Sequence, residues 1–223
     1  MNKYWLLLLL AALIVASILY RRWAVNYGLK QLYVLRNAGD SEKFLQAVDS
    51  SYIRLHFSPF ARQFMKLNYW IDRGEDKRVE ELLPALEKEK CSDKDRIAFY
   101  SRALGYTLDK RQYGRAEEYM GKLGALLQNR NDPQSKALEL ELEQLDGIYL
   151  RKDAALIPVL EELLEQTQGE NASVLCYRLA RLYRAGGQEE RTGEYLERAL
   201  RLTEQGPSQK ALRAAIKDHS LLD

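Results

Sequence analysis

The sequence predicts an all-α protein with an N-terminal transmembrane helix, an α-solenoid of about five helical hairpins and a C-terminal capping helix. Three observations support this. An uncharged apolar segment lies near the N-terminus, and every long segment after it repeats apolar residues at a period of 3.6, with no strand-like alternation. Residues that begin the second helix of successive hairpins are spaced by 37, 38 and 38 positions, at Val79, Ala116, Ala154 and Thr192. We therefore divide the chain into an anchor, 1–22, and a repeat domain, 23–223.

The anchor is predicted from Tyr4 to Tyr20, where no residue is charged. About seventeen helical residues span roughly 25 Å, enough for a membrane helix at the short end of the range. Aromatic residues that favour the headgroup region stand at both ends, at Tyr4, Trp5, Tyr20 and Trp23. A cleaved signal peptide is the alternative, because Lys3 precedes the apolar run, but no A-x-A cleavage site follows.

The charges beside the anchor predict its orientation. Lys3 precedes the apolar segment, whereas four basic residues follow it, namely Arg21, Arg22, Lys30 and Arg36. By the positive-inside rule this asymmetry places the repeat domain in the cytoplasm. We thus expect a single-pass membrane protein.

After the anchor the helix is expected to continue over 22–37, with its packing face at Val25, Leu29, Leu32 and Tyr33. The turn Ala38-Gly39-Asp40 ends it, and Ser41 is expected to cap the next helix. A second hairpin turns at Arg73-Gly74-Glu75, and Pro84 should kink its second helix or lie on the outer face.

The third hairpin carries Tyr100, Ala103 and Tyr106 before its turn, and the fourth begins after Asn131-Asp132-Pro133. The fifth, 171–205, has the clearest pattern, with a turn at Gly186 and Gly187 and an end at Gly206 and Pro207. A last amphipathic helix over 209–217 is expected to cap the domain.

The fifth hairpin resembles a tetratricopeptide repeat (TPR), through the residues Ala180, Tyr183, Gly187, Thr192, Leu196 and Ala199. It departs from the family at Cys176, where tryptophan is preferred, and at Thr192, where alanine is preferred. The resemblance implies a TPR-like solenoid whose concave surface binds protein or peptide partners. It also implies that Ala180 and Ala199 are buried where the paired helices cross.

If the resemblance holds, residues one turn from the packing positions line a peptide-binding groove, namely Asn68, Asp72, Tyr100, Tyr177, Arg181 and Arg184. Arginine and tyrosine are common in binding hot spots. The expected ligand is a protein segment, acidic near the last repeat, and we expect no small-molecule substrate.

The sequence carries no recognisable catalytic or cofactor motif. The two histidines, His56 and His219, have no cysteine or second histidine at metal-ligand spacing, so no metal or cofactor is expected. The net charge is +2, and without Lys3, Arg21 and Arg22 31 basic residues face 32 acidic ones. This near-neutral balance argues against nucleic-acid binding.

Three functions remain open from the sequence. The favoured one is a membrane-anchored scaffold or adaptor that mediates protein–protein interactions. The second is an accessory factor in cell-envelope assembly or secretion, with the repeat domain on the outer side of the membrane. The third, an enzyme, is disfavoured because no catalytic constellation is present.

Overall fold

The computed structural model describes residues 3–203 and 207–223, with side chains from Leu9 onward apart from that of Pro207. Within these residues every regular element is helical and no strand occurs, which confirms the all-α class. The α-helices are α1 Lys3–Ala38, α2 Ser41–Val48, α3 Ser51–His56, α4 Pro59–Arg73, α5 Asp76–Lys88, α6 Asp93–Asp109, α7 Tyr113–Leu127, α8 Pro133–Leu145, α9 Leu156–Glu165, α10 Gly169–Ala185, α11 Glu189–Leu202 and α12 Pro207–Lys217. A π-helical turn spans Asp146–Leu150 and a 3-10 turn spans His219–Leu222.

The helices form two compact units, Met1–Tyr106 and Thr107–Asp223. The boundary between them falls within α6. Each unit contains its own buried apolar residues, and each is described separately below.

Helix α1 runs without a break across the predicted end of the anchor at residue 22. Its apolar part is exposed, since the large apolar side chains from Leu9 to Tyr20 are 53–61% accessible. The side chains of Tyr4 and Trp5 lie outside the described residues. Anchor and first unit therefore share one continuous helix.

The second half of α1 packs through a different face from the predicted one. Leu32 is buried as expected, but Leu29 and Tyr33 are 44% and 63% exposed. The buried line is instead Ala24, Gly28 and Leu32, at spacings of four. Two of these residues, Ala24 and Gly28, are small because α3 approaches α1 closely there. A Cβ on Gly28 would lie only 2.9 Å from Cδ1 of Ile53.

Asp40, not Ser41, caps α2. Its Oδ1 accepts a hydrogen bond from the Lys43 backbone N–H at 3.0 Å. Ser41 instead accepts a bond of 2.7 Å from the Tyr69 hydroxyl, and the Tyr69 ring stacks on Phe44 at 4.2 Å. This prediction was wrong because Asp and Ser are nearly equivalent caps, and tertiary contacts decide between neighbours.

Helix α3 was not predicted, and His56 is its last residue. Ser50 caps the helix through a weak 3.4 Å bond from the Ile53 N–H. Only six residues long, it shows less than two turns of periodicity.

The α4–α5 hairpin agrees with the prediction. Gly74 turns the chain with a φ of +68°, a conformation that favours glycine. Pro84 lies inside α5 on its exposed side, one of the two placements expected for it.

In the second unit the predicted start of a helix at Ala154 was wrong. Helix α9 begins at Leu156, and Ala154 is exposed in the turn before it. The π-helical turn lengthens the preceding segment, and the Asp153 N–H closes the connection by donating to the Gly147 carbonyl at 2.7 Å. By contrast Val79, Ala116 and Thr192 are fully buried in α5, α7 and α11.

Helices α10 and α11 form the most extensively packed hairpin. Gly187 turns the chain with a φ of +70°, and Ala180 and Ala199 are fully buried, as predicted. Helix α11 ends at Leu202, while the predicted stop at Gly206 lies outside the described residues. The expected terminal helix is α12, whose Leu212 and Ala215 join the core of the second unit.

Candidate functional site

Two predicted groove residues of the first unit, Asn68 and Asp72, make contacts within that unit. Asn68 donates to the Phe64 carbonyl in its own helix at 3.0 Å. Asp72 forms ion pairs with Arg36 of α1 and, at 2.6 Å, with Arg102 of α6. The Asp72 carboxylate thus connects three helices.

The third predicted residue of this unit, Tyr100, is half-buried beside Arg96. The Arg96 guanidinium lies 5.9 Å from the centre of the Tyr100 ring and the same distance from that of Phe60. Arg96 also donates to the carbonyls of Leu86, Glu87 and Glu89. It therefore holds the end of α5 against the start of α6.

In the second unit the predicted groove residue Arg181 is almost completely buried. It is 5% exposed on α10, although arginine is seldom buried without a charged partner. Its Nη2 donates to the Tyr113 hydroxyl at 2.8 Å, and its guanidinium lies 4.5 Å from the centre of the Tyr149 ring. The aromatic rings therefore replace water around the charge.

Arg181 also has an unsatisfied donor. Its Nε is buried without an acceptor, as are those of Arg62 and Arg102. Those two arginines pair with the carboxylates of Asp49 and Asp72, whereas Arg181 forms no ion pair among the described residues. A buried, incompletely satisfied cation is costly for a fold, and such groups are common at binding sites.

Tyr149 reaches Arg181 because the π-helical turn carries it toward α10. Burial raises the pKa of Tyr149 to about 12, so its ring stays neutral at physiological pH. A neutral ring stabilises Arg181 through its quadrupole alone and leaves the positive charge uncompensated.

The end of the chain lies over the same part of the second unit. The Tyr113 hydroxyl, which accepts from Arg181, donates to the Asp223 main-chain oxygen at 2.9 Å. The Arg184 guanidinium lies 3.3–3.4 Å from the Asp223 carboxylate, and Arg111 donates to the Leu221 carbonyl at 2.5 Å. The Asp223 carboxylate of the chain itself therefore lies beside two of the predicted groove residues.

Glu189 completes this surface. Its carboxylate pairs with Arg184, and its Oε2 lies 2.7 Å from Nδ1 of His219. We call the surface formed by Arg111, Tyr113, Arg184 and Glu189, with the buried Arg181 behind Tyr113, the basic surface. Its function can be the recognition of carboxylates and main-chain carbonyls, since it presents guanidinium and hydroxyl donors.

The six predicted groove residues are divided between the two units, so a common groove stays a prediction. Within the second unit, Arg181 and Arg184 lie on one helix and share contacts near Asp223, while Tyr177 is half-buried against the core. Sequence reasoning missed Tyr113, Tyr149 and Arg111. Tyr113 begins α7 and Tyr149 lies in an irregular turn, so helical periodicity gave no signal for either.

A second polar cluster joins α9, α10 and α11. The hydroxyls of Tyr183 and Tyr195 both donate to Oε1 of Glu161, at 2.8 and 2.6 Å, and their rings stack at 5.4 Å. Hydrogen bonds from Tyr195 and Tyr183 lower the pKa of Glu161. This cluster connects three helices of the second unit.

No group of three or more histidine, cysteine or acidic side chains with metal-binding proximity occurs in the part of the chain that the structure describes. Cys91 and Cys176 are free thiols, and burial raises the pKa of Cys176. A raised pKa makes that thiol a poor nucleophile.

Comparison of the chain with protein-family models, with curated proteins and with solved structures found no match.

Proposed function

We propose that the chain is a membrane-anchored, TPR-like adaptor that binds protein partners at the membrane surface. Helix α1 supports the membrane anchor, and the basic surface of the second unit supports the protein partner. The TPR-like solenoid and its five hairpins are part of this proposal. The α10–α11 hairpin, which carries the resemblance to a tetratricopeptide repeat, supports it best.

The observation that carries the proposal is the division of α1 into an exposed and a packed half. Among the described residues, α1 is the one helix long and apolar enough to cross a membrane. Leu13, Ile14 and Ile18 are 53–61% exposed, whereas Ala24 and Leu32 are buried in the first unit. Exposed apolar side chains on successive turns are unfavourable in water and favourable in a bilayer.

The basic surface supports a protein partner of acidic character. In the structure it binds the Asp223 side-chain carboxylate and the main-chain oxygens of Leu221 and Asp223, and an acidic peptide also presents carboxylate and main-chain oxygens. Such contacts need no particular side chain other than a carboxylate. A partner segment would compete with residues 221–223 for the same donors.

The proposed location is the cytoplasmic face, because Arg21, Arg22, Lys30 and Arg36 follow the apolar segment. Digestion of intact and of permeabilised cells with protease distinguishes this from an envelope factor on the outer side. Protection in intact cells supports the cytoplasmic location, and digestion there supports the envelope alternative.

Membrane anchoring is tested by Leu13→Glu in the full chain. An acidic residue at the centre of a span typically costs about 2.5–3.5 kcal/mol of insertion free energy. We expect the variant to leave the membrane fraction under alkaline extraction. Leu140→Glu is the matched control, since Leu140 is also exposed (57%) but lies in α8, and it should stay in the membrane fraction.

Partner binding is tested by Arg184→Glu, with Arg201→Glu as control for charge. Both side chains are accessible, at 26% and 68%, but only Arg184 contacts Asp223. The full-length variants are cross-linked in cells and the retained proteins compared with those of the parent chain. Loss of a partner from Arg184→Glu alone supports the proposal, and equal retention by all three chains refutes the basic surface as its binding site.

A further inference from the structure

The short helix α3 carries the most exposed large apolar side chain of the described residues, Leu55, at 79% accessibility. A single exposed leucine is common on soluble proteins. Here its location matters, because α3 is held beside the part of α1 that directly follows the apolar segment. This inference rests on the proposed membrane anchor and adds a second membrane contact to it.

Two contacts fix α3 against α1. The Tyr52 hydroxyl donates to the Ala24 main-chain carbonyl at 2.9 Å. One turn further along α1, Gly28 leaves room for Ile53 and Phe57, which lie 2.9 and 3.1 Å from where a Cβ would stand. Ala24 and Gly28 are the first buried residues after the apolar segment, so α3 packs against α1 directly after that segment ends.

Contacts between aromatic rings place the end of α3 beside the end of the apolar segment of α1. The His56 ring lies 6.3 Å from the ring of Tyr20, the last residue of the apolar segment, and 4.8 Å from that of Tyr52. Trp23 lies 6.2 Å from Tyr20 and stacks on Tyr27 at 5.5 Å. Aromatic side chains concentrate in the headgroup region, so this cluster marks the membrane interface and includes the end of α3.

The charges around α3 are complementary to anionic lipid headgroups. Arg21, Arg22 and Arg54 are exposed, and α3 contains no acidic residue. An exposed leucine flanked by arginine and next to aromatic rings is the composition of a helix that lies on a membrane surface. Basic residues at this level would contact phosphate groups of anionic lipids.

We infer that α3 contacts the bilayer surface, with Leu55 in the interfacial layer and Arg54 at the headgroup phosphates. The first unit would then be held to the membrane at two places, α1 and α3. Two contacts restrict the tilt of this unit, whereas a single helix leaves it free to rotate about the anchor.

The inference is tested on the full chain in vesicles of phosphatidylcholine with anionic phosphatidylglycerol. Leu55→Cys is labelled with a bimane fluorophore in a Cys91→Ser background, because the remaining Cys176 is fully buried. Quenching by a lipid spin-labelled near the headgroup reports contact with the interface. Leu13→Cys serves as the anchor control and is read with a second lipid, spin-labelled deep in the acyl chain, because position 13 lies at the centre of the span. Leu140→Cys is the control for an exposed leucine in the second unit.

We expect quenching at position 55 to exceed that at position 140 at least threefold, and to fall in vesicles without anionic lipid or in Arg54→Glu. Quenching at position 13 with none at 55 overturns the α3 contact and leaves the anchor intact; Leu55 then faces water or a protein partner. No quenching at position 13 overturns the anchor and this inference together. Circular dichroism of each labelled chain verifies that the helices are retained.

Discussion

The Tyr113 hydroxyl lies 2.8 Å from Nη2 of Arg181 and 2.9 Å from the main-chain oxygen of Asp223. It accepts from the buried guanidinium and donates to that main-chain oxygen, so one phenol connects the interior of the second unit to Asp223. This arrangement makes Tyr113 the direct support of the Arg181 charge.

Tyr113→Phe should lower the free energy of unfolding by about 1–3 kcal/mol, because it leaves a donor of a buried cation without an acceptor. Arg184→Ala removes the contacts with Asp223 but leaves the bond between Tyr113 and Arg181, and should cost less than about 1 kcal/mol. Urea denaturation of the detergent-solubilised chain measures both. Equal losses would show that the contribution of Tyr113 comes from the chain end rather than from Arg181.

Ala180→Leu should destabilise the chain by about 1–3 kcal/mol, since Ala180 is fully buried and the pocket has no space for three further carbons. Arg201→Leu adds a leucine on the exposed side of α11, where the arginine is 68% accessible. Its denaturation midpoint should stay within experimental error of the parent. A similar midpoint for both variants would contradict the assigned packing of α10 on α11.

Two glycines should respond to alanine with opposite signs. Gly187→Ala places a Cβ on a residue with a φ of +70° and should cost about 1–2 kcal/mol. Gly121→Ala lies within α7, where a Cβ would meet no atom within 4 Å, and should add about 0.5–1 kcal/mol through helix propensity. Thermal denaturation followed by circular dichroism compares the two. A gain for Gly187→Ala would indicate that the turn adopts another conformation.

The Glu161 cluster should make stability depend on pH in the acid range. Its two tyrosine bonds lower the pKa of Glu161 below the ordinary 4.5. The unfolded state then binds the proton more readily, so this contribution is fully present above pH 4.5 and is lost as pH falls through the lower folded value. Urea denaturation at pH 7 and at stepwise lower pH should show a smaller acid loss in Glu161→Gln than in the parent. Tyr183→Phe together with Tyr195→Phe should reduce the pH dependence likewise, and an unchanged acid loss in both variants would argue against the cluster.

The sequence predicted those features that depend on local chemistry. Apolar periodicity placed the helices other than the short α3, and the turns at Gly74 and Gly187 followed from a backbone conformation that glycine adopts readily. The apolar segment near the N-terminus likewise required only length and the lack of charge. The burial of Ala180 and Ala199 was expected from the resemblance to a tetratricopeptide repeat, and both are fully buried.

Tertiary packing decided the rest. Periodicity alone could not choose Ala24 and Gly28 as the packing face of α1, because that choice depends on how closely α3 approaches. The choice of Asp40 over Ser41 as cap depended likewise on Tyr69, which lies 28 residues away from Ser41. Arg181 resembled an exposed groove residue in the sequence, yet Tyr113 and Tyr149 enclose it. By itself the sequence determined which of the longer segments are helical, because that preference is local. Only the folded chain decided which side chains meet, because those contacts join residues far apart in sequence.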